Sequence, residues 1–134
     1  MEISAEVRNS RGQHEATVTT SGVSQSVAIS PKACGLGSSL NGGELLMLAV
    51  ATCYCNDLYR EAAGLGISLD GVEVTATATF AGVGLAASNI RYSARVDSSA
   101  PADQIAELLR QTDAVAEVHN TIRNGVSVEL STGP

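Results

Sequence analysis

Alternating apolar and polar residues predict two groups of β-strands in this sequence. The period of two is typical of strands with one buried face. It occurs in residues 3–7, 16–19, 27–29, 72–80 and 90–96. Turn-forming residues separate the first three segments, which predict an antiparallel meander, and a glycine-containing loop separates the last two.

A long helix is predicted between the two groups of strands. Asn41 and Glu44 have the spacing of a capping box, in which each side chain binds the other residue's backbone N–H. The helix that they begin should span residues 42–63. Gly64 or Gly66 then provides the flexible backbone on which helices commonly end.

This helix is apolar around much of its circumference. From Leu45 to Cys55 only Thr52 is not apolar. A helix that is apolar on every side is buried on every side, but one sheet covers only one face. The chain has 134 residues, 44% of them hydrophobic and 16% charged, which leaves little material to enclose the rest. We therefore expect a symmetric homodimer in which the helix packs against its twin.

Two shorter helices and a last strand are predicted after the second group of strands. Pro101 lies in the first turn of one helix, and Asp113 is expected to cap the next. Alternating residues 126–130 predict the final strand. The element order is βββ-α-ββ-αα-β. It predicts an α+β fold, because the strands cluster instead of alternating singly with helices. A chain of 134 residues is expected to form one domain, residues 1–134.

Charge and hydropathy narrow the functional classes. The net charge is −6 and the eight Lys and Arg residues are scattered, so no nucleic-acid partner is expected. The longest apolar run is about half of the roughly 20 residues that a bilayer span needs. The first 15 residues lack the apolar core of a signal peptide. With three cysteines, an odd number, we expect a cytoplasmic protein with reduced thiols.

Cys53 and Cys55 carry the candidate chemistry at the polar end of the long helix. Two residues apart on a helix, their side chains point roughly 200° apart, so they neither pair nor chelate together. A free cysteine is often simply a core residue. A metal site of Cys53, Cys55, Asp57 and His119 has little support from spacing, and no metal or cofactor is expected.

Two segments of the chain carry motifs that can be compared with a known family. Residues 43–46 read GELL and are followed by Ala51-Thr52-Cys53, while residues 115–122 read VAEVHNTI. They resemble the PEELL…A-x-C and V-C-P-V-[HS]-N-T-L segments of the OsmC/Ohr family, which contains thiol-dependent hydroperoxide-reducing proteins and their relatives. The resemblance implies an intertwined homodimer whose long central helices are wrapped by sheets.

The resemblance also implies roles for individual residues. Cys53 matches the peroxidatic cysteine, and Glu44 matches the glutamate that helps to organise the site. Ala116 stands where the family has its second, resolving cysteine, and Glu117 replaces the following proline. The family's upstream arginine has no clear match, and Lys32 is the nearest preceding cation. Glycine replaces the proline before the glutamate.

Peroxide chemistry at Cys53 would need two further groups. A nearby cation normally stabilises the thiolate, and the candidates are Lys32, His119, or Arg60 from the partner helix. The sulfenic acid that forms must then be captured by a thiol. Without a cysteine at position 116, the resolving thiol is Cys34, Cys55 or an external molecule.

Three functional hypotheses follow. The first is an OsmC-like peroxidase in which Cys53 attacks and an external thiol is the reductant. The second is a non-catalytic OsmC-like dimer that binds a small apolar or thiol-bearing ligand in an interface groove near Cys53, Asn56 and Asp57. The third is a Cys–His hydrolase or acyltransferase with His119 as general base. Alternatively, His119 belongs to a helix-anchoring segment in which Asn120 and Thr121 satisfy backbone groups.

Overall fold

The computed structural model describes residues 1–132, which fall into two compact units, residues 1–45 and residues 46 onward. The predicted order βββ-α-ββ-αα is found. The elements are β1 (Ile3–Ser10), β2 (Gln13–Thr20), β3 (Val23–Val27), α1 (Gly42–Gly64), β4 (Gly71–Thr79), β5 (Ser88–Asp97), α2 (Ala102–Val115) and α3 (Glu117–Arg123).

The first unit contains an antiparallel sheet in the order β1-β2-β3. Ser10 faces Gln13, and Thr20 faces Val23, so each hairpin has a two-residue loop. In the second loop Ser21 and Gly22 both have positive φ, as a type I′ turn requires. Every residue of β1 and β3 is exposed, so the apolar positions of these two strands are uncovered.

The long helix α1 begins and ends as predicted. The backbone N–H of Asn41 donates to Glu44 Oε1 at 3.0 Å, and the backbone N–H of Glu44 donates to Asn41 Oδ1 at 2.8 Å. This reciprocal pair is the predicted capping box. At the other end, Gly66 has a φ of 69°, which lets the N–H of Ile67 reach the carbonyl of Ala62 at 2.9 Å.

The core of the second unit forms where α1 packs against α2 and the β4–β5 hairpin. Leu58 of α1 and Leu108 of α2 are fully buried in it, together with Ala116. The hairpin contributes alternate residues on one face, as the period of two predicts. These partly buried residues are Val72, Val74, Tyr92, Ala94 and Val96.

Only one face of α1 is buried within a single chain. Val50, Tyr54 and Leu58 lie on that face, whereas Leu48 is 57% exposed and Tyr59 45% exposed. Leu48 and Tyr59 are therefore largely uncovered within residues 1–132. Among residues 1–132, no helix is long and apolar enough to cross a bilayer.

Two local predictions are wrong, and a third is shifted: β3 spans Val23–Val27, whereas the alternation predicted a strand at residues 27–29. Asp113 does not cap the last helix, because α2 continues to Val115 and the Asp113 carboxylate accepts hydrogen bonds from Tyr92 and Arg123 instead. The alternating residues 126–130 form no strand in the described part of the chain. Alternation fixes which side chains share a face, but a strand also needs a neighbouring edge for its backbone, and none pairs with this segment within residues 1–132.

We expect Leu58→Ala to lower the free energy of unfolding by about 2–5 kcal/mol, because it leaves a cavity in a fully buried position. Urea denaturation followed by circular dichroism measures the change. Val83→Ala is the control, since Val83 is fully exposed in a loop. A loss below about 1 kcal/mol for Leu58→Ala would contradict the core described above.

Candidate functional site

Four residues converge where the polar end of α1 meets the start of α3. Cys53, Asp57 and Arg60 follow one another by four and three residues, so they share one face of α1. Glu117 is the first residue of α3. It is brought here because the extended backbone of Ala116, with φ −70° and ψ 110°, separates α2 from α3.

The thiol lies between two carboxylates. Cys53 Sγ is 3.7 Å from Asp57 Oδ2 and 3.8 Å from Glu117 Oε2. Arg60 Nη1 holds the other oxygens, at 3.0 Å from Asp57 Oδ1 and 3.3 Å from Glu117 Oε1. The guanidinium thereby turns Oδ2 and Oε2 towards the sulfur, and the three atoms lie within 4.8 Å of one another.

The surroundings of Cys53 favour the protonated thiol. Burial is the largest influence and raises its pKa. The Val118 backbone N–H lowers the pKa, and the charges of Asp57 and Glu117 raise it again. A thiol with a raised pKa is protonated at neutral pH. Cys53 is therefore not a preformed thiolate, and its chemistry depends on a group that accepts its proton.

The two carboxylates differ in their affinity for a proton. Asp57 is only 5% exposed, and its burial and the neighbouring Glu117 carboxylate raise its pKa against the opposing charge of Arg60. A backbone hydrogen bond and the neighbouring Asp57 lower the pKa of Glu117. Asp57 is therefore the stronger base of the pair, and its Oδ2 lies 3.7 Å from the thiol sulfur, while Glu117 keeps its negative charge.

Arg60 of the same helix supplies a cation to this cluster, whereas the sequence suggested Arg60 of a partner helix, which stays a prediction. Besides Asp57 and Glu117, it pairs with Glu61 at 3.3 Å. It contacts the carboxylates and not the sulfur. In the sequence, Glu117 differs from the family's motif only in replacing its proline. This charged residue next to Ala116 is the signal that points to a place for Glu117 in the site.

His119 is buried away from any polar partner. It is 5% exposed, its ring lies 4.4 Å from that of Tyr92 and 5.7 Å from that of Tyr54, and neither ring nitrogen has a hydrogen-bond partner within residues 1–132. Burial and the charge of Arg123 lower its pKa, so the ring is neutral. The structure does not pair His119 with Cys53, and the hydrolase arrangement is not assembled.

The neighbours of His119 anchor α3 as the sequence predicted. Asn120 Nδ2 donates to the carbonyl of Ala114 at 3.1 Å, and Thr121 Oγ1 donates to the carbonyl of Glu117 at 2.7 Å. The segment therefore satisfies backbone groups at both ends of the break between α2 and α3. This fixes the first residue of α3 beside Cys53.

The other predicted site residues belong to other segments of the described chain. Glu44 is engaged in the capping box, and Lys32 and Cys34 belong to a loop of the first unit, where the Lys32 N–H donates to Gly37. Cys55 is half-buried on α1, and all three cysteines are free. The set of Cys53, Cys55, Asp57 and His119, to which the spacing gave little support, is not brought together, because the cluster around Cys53 in the described residues contains neither Cys55 nor His119.

Comparisons with known proteins agree with this arrangement of elements. The family model described as "OsmC-like protein" matches residues 35–131. A hydroperoxide resistance protein OsmC from Legionella pneumophila has 19% identity and a TM-score of 0.61, covering 96% of this chain and 94% of its own. One from Elizabethkingia anophelis has 16% identity and a TM-score of 0.62, with 95% and 91% covered.

A third structure is similar to the same extent. It is a putative organic hydroperoxide resistance protein from Vibrio cholerae with captopril bound in one active site. Its identity is 17% and its TM-score 0.60, with 95% of this chain and 88% of that chain covered. At these identities the likeness concerns the fold. No curated protein sequence matches the chain significantly.

We expect the alkylation of Cys53 by iodoacetamide to keep rising with pH beyond the ordinary pKa of a cysteine, because burial and two carboxylates disfavour the thiolate. A Cys34→Ser, Cys55→Ser protein leaves Cys53 as the single thiol, and mass spectrometry gives the rate. Adding Glu117→Gln removes a negative charge and should shift the profile to lower pH. A plateau near pH 6 in the parent would contradict the described electrostatics.

Proposed function

Because this chain belongs to the OsmC-like protein family, we propose that it reduces hydroperoxides through Cys53, with an external thiol as the reductant. The observation that carries the proposal is the 3.7 Å contact between Cys53 Sγ and the buried carboxylate of Asp57. A proton acceptor beside the sulfur is what a neutral thiol needs in order to attack a peroxide.

The first half-reaction uses the residues around the sulfur. Cys53 Sγ attacks one peroxide oxygen and gives its proton to Asp57 Oδ2. An S–O bond forms, the O–O bond breaks, and two electrons pass from sulfur to the peroxide. The departing alkoxide takes that proton from Asp57 and leaves as an alcohol, which returns Asp57 to the carboxylate. Arg60 holds the Asp57 carboxylate in place and stabilises the charge on it.

The second half-reaction regenerates the thiol. One external thiol condenses with the sulfenic acid, releasing water and forming a mixed disulfide, and a second thiol displaces Cys53 as the free thiol. Ala116 cannot serve as the resolving residue. An intramolecular resolution by Cys34 or Cys55 is the alternative route to an external thiol, and Glu44 retains the site-organising role that its match to the family implies.

A non-catalytic role is the second candidate. The raised pKa of Cys53 favours it, because a protonated thiol is a weak nucleophile. In this role the chain binds a small apolar or thiol-bearing ligand in a groove near Cys53, Asn56 and Asp57. The captopril found in the active site of the Vibrio cholerae relative supports a groove of this kind.

We also propose that the chain is a single OsmC-like domain, residues 1–134, that works as a homodimer. The exposed apolar residues of β1 and of α1, such as Ile3, Val7 and Leu48, support this proposal because a second copy would cover them. Three free thiols favour a reducing compartment, and we place the protein in the cytoplasm.

With limiting cumene hydroperoxide and excess dithiothreitol, we expect peroxide consumption that Cys53→Ser abolishes and Cys55→Ser largely retains. The reason is that Cys53 is the one cysteine whose sulfur contacts a carboxylate within residues 1–132. A coupled assay of remaining peroxide measures the rate. If the parent protein consumes peroxide no faster than Cys53→Ser, the catalytic proposal fails, and a ligand-induced rise in Tm with Cys53 unmodified would favour the binding role.

Asp57→Asn is the matched variant for the proton transfer. We expect it to slow peroxide consumption at neutral pH by at least about 10-fold, because the carboxylate that accepts the thiol proton is lost. Its alkylation by iodoacetamide should instead be unchanged or faster, because the removed charge had disfavoured the thiolate. An increase in both rates would mean that Asp57 only repels the thiolate.

We expect light scattering to give about twice the 13.7 kDa mass of one chain at micromolar concentration. Leu48→Glu should shift the mass towards that of a monomer, because it places a charge on an apolar side chain that one chain leaves 57% exposed. Val83→Glu is the control in an exposed loop. A parent protein that is monomeric at these concentrations would refute the homodimer.

A further inference from the structure

The charges around Cys53 are unbalanced. Asp57, Glu61 and Glu117 surround one cation, Arg60, and all three carboxylates lie within 3.3 Å of its guanidinium. The group therefore has more negative than positive charge, on a chain whose net charge is already −6. Any molecule that reaches the sulfur enters a negative potential.

Of the two carboxylates beside the sulfur, that of Glu117 is the more exposed. Its side chain is 66% exposed, whereas that of Asp57 is 7% exposed. Glu117 Oε2 is nevertheless 3.8 Å from Cys53 Sγ. A molecule that approaches the sulfur from solvent therefore comes close to the exposed Glu117 carboxylate before it reaches the buried Asp57 carboxylate.

On the basis of the proposed function, we propose that the external thiol that reacts with the Cys53 sulfenic acid is cationic or neutral. Glu117 is the residue that excludes anionic thiols. An anionic thiol would bring its charge to within a few ångströms of two carboxylates as its sulfur approaches Cys53. Like charges at this distance repel strongly where water is partly excluded. A cationic aminothiol is attracted by the same field, which raises its local concentration and its rate of association.

Both steps of the reduction are subject to this selection. The sulfenic acid of Cys53 and the first thiol give the mixed disulfide and water. The second thiol attacks that disulfide, leaves Cys53 as the thiol, and is released as a symmetric disulfide with the first. In each step the attacking thiol passes Glu117, so the charge preference acts twice in one cycle.

Thiol–disulfide exchange tests the charge preference without requiring peroxide chemistry. The protein is the Cys34→Ser, Cys55→Ser variant, and the probes are cystamine, bis(2-hydroxyethyl) disulfide and 3,3′-dithiodipropionate, which are cationic, neutral and anionic. Mass spectrometry follows the mixed disulfide at Cys53. Each rate is divided by that of the same probe with N-acetylcysteine amide, which removes intrinsic reactivity.

We expect the cationic probe to react about 10–100-fold faster than the anionic probe at low salt, and this ratio to fall several-fold near 1 M NaCl. Glu117→Gln should lower the ratio at least about 3-fold. Glu73→Gln removes an equal charge from an exposed pair on β4 and should leave the ratio unchanged. Equal normalised rates for the three probes, or an unchanged ratio in Glu117→Gln, would overturn the proposal.

A peroxidase arm separates this inference from the proposed function. Peroxide consumption is measured with cysteamine, 2-mercaptoethanol or 3-mercaptopropionate as the only reductant, and the inference predicts rates that fall in that order. Turnover that is equal with all three, after correction for thiol pKa, would overturn the inference and leave the peroxidase intact. Absence of Cys53-dependent turnover with every thiol, despite the expected exchange ratio, would overturn the proposed function and the reductant role with it.

Discussion

The packing of α1 against α2 and the β4–β5 hairpin is the interaction on which the rest of the second unit depends. Leu58 and Leu108 are fully buried there, and their burial fixes which face of α1 is turned inward. The same packing buries Asp57, four residues after Cys53, and so brings a carboxylate out of water beside the thiol. Hydrophobic burial thus sets up the electrostatics of the site.

Ala116 connects this core to the chemistry. Its side chain is fully buried in the core, and its extended backbone ends α2 and begins α3. Glu117, the next residue, is therefore held beside Cys53 and Arg60. The resemblance of this segment to the OsmC/Ohr motif implies a second thiol at position 116, where this chain has a small core residue followed by a charged one.

In the proposed function, a neutral thiol is activated by its neighbours. Arg60 binds the carboxylates and not the sulfur, so its charge acts on Cys53 through Asp57 and Glu117. Burial and both carboxylates raise the pKa of the thiol. A cysteine with a raised pKa resists oxidation while it is a thiol, and in the proposed mechanism its reactivity depends on the transfer of a proton to Asp57.

The sequence by itself determined the elements that local rules control. The capping box, the length of α1 and the strand hairpins follow from hydrogen bonds and periodicities within a few residues, and they are found nearly where predicted. The family motifs also identified the fold. These signals are local, because each depends on residues that are close together in the sequence and not on contacts with distant residues.

Only the tertiary structure decided the site's neighbours and the fate of two local signals. Glu117 lies 64 residues after Cys53, and no sequence pattern states that their side chains meet. Asp113 has the position of a predicted helix cap but accepts hydrogen bonds from Tyr92 and Arg123. Apolar and polar residues alternate at 126–130, but this segment has no neighbouring strand edge in the described chain. Contacts between distant residues depend on how whole elements pack, which local patterns do not contain.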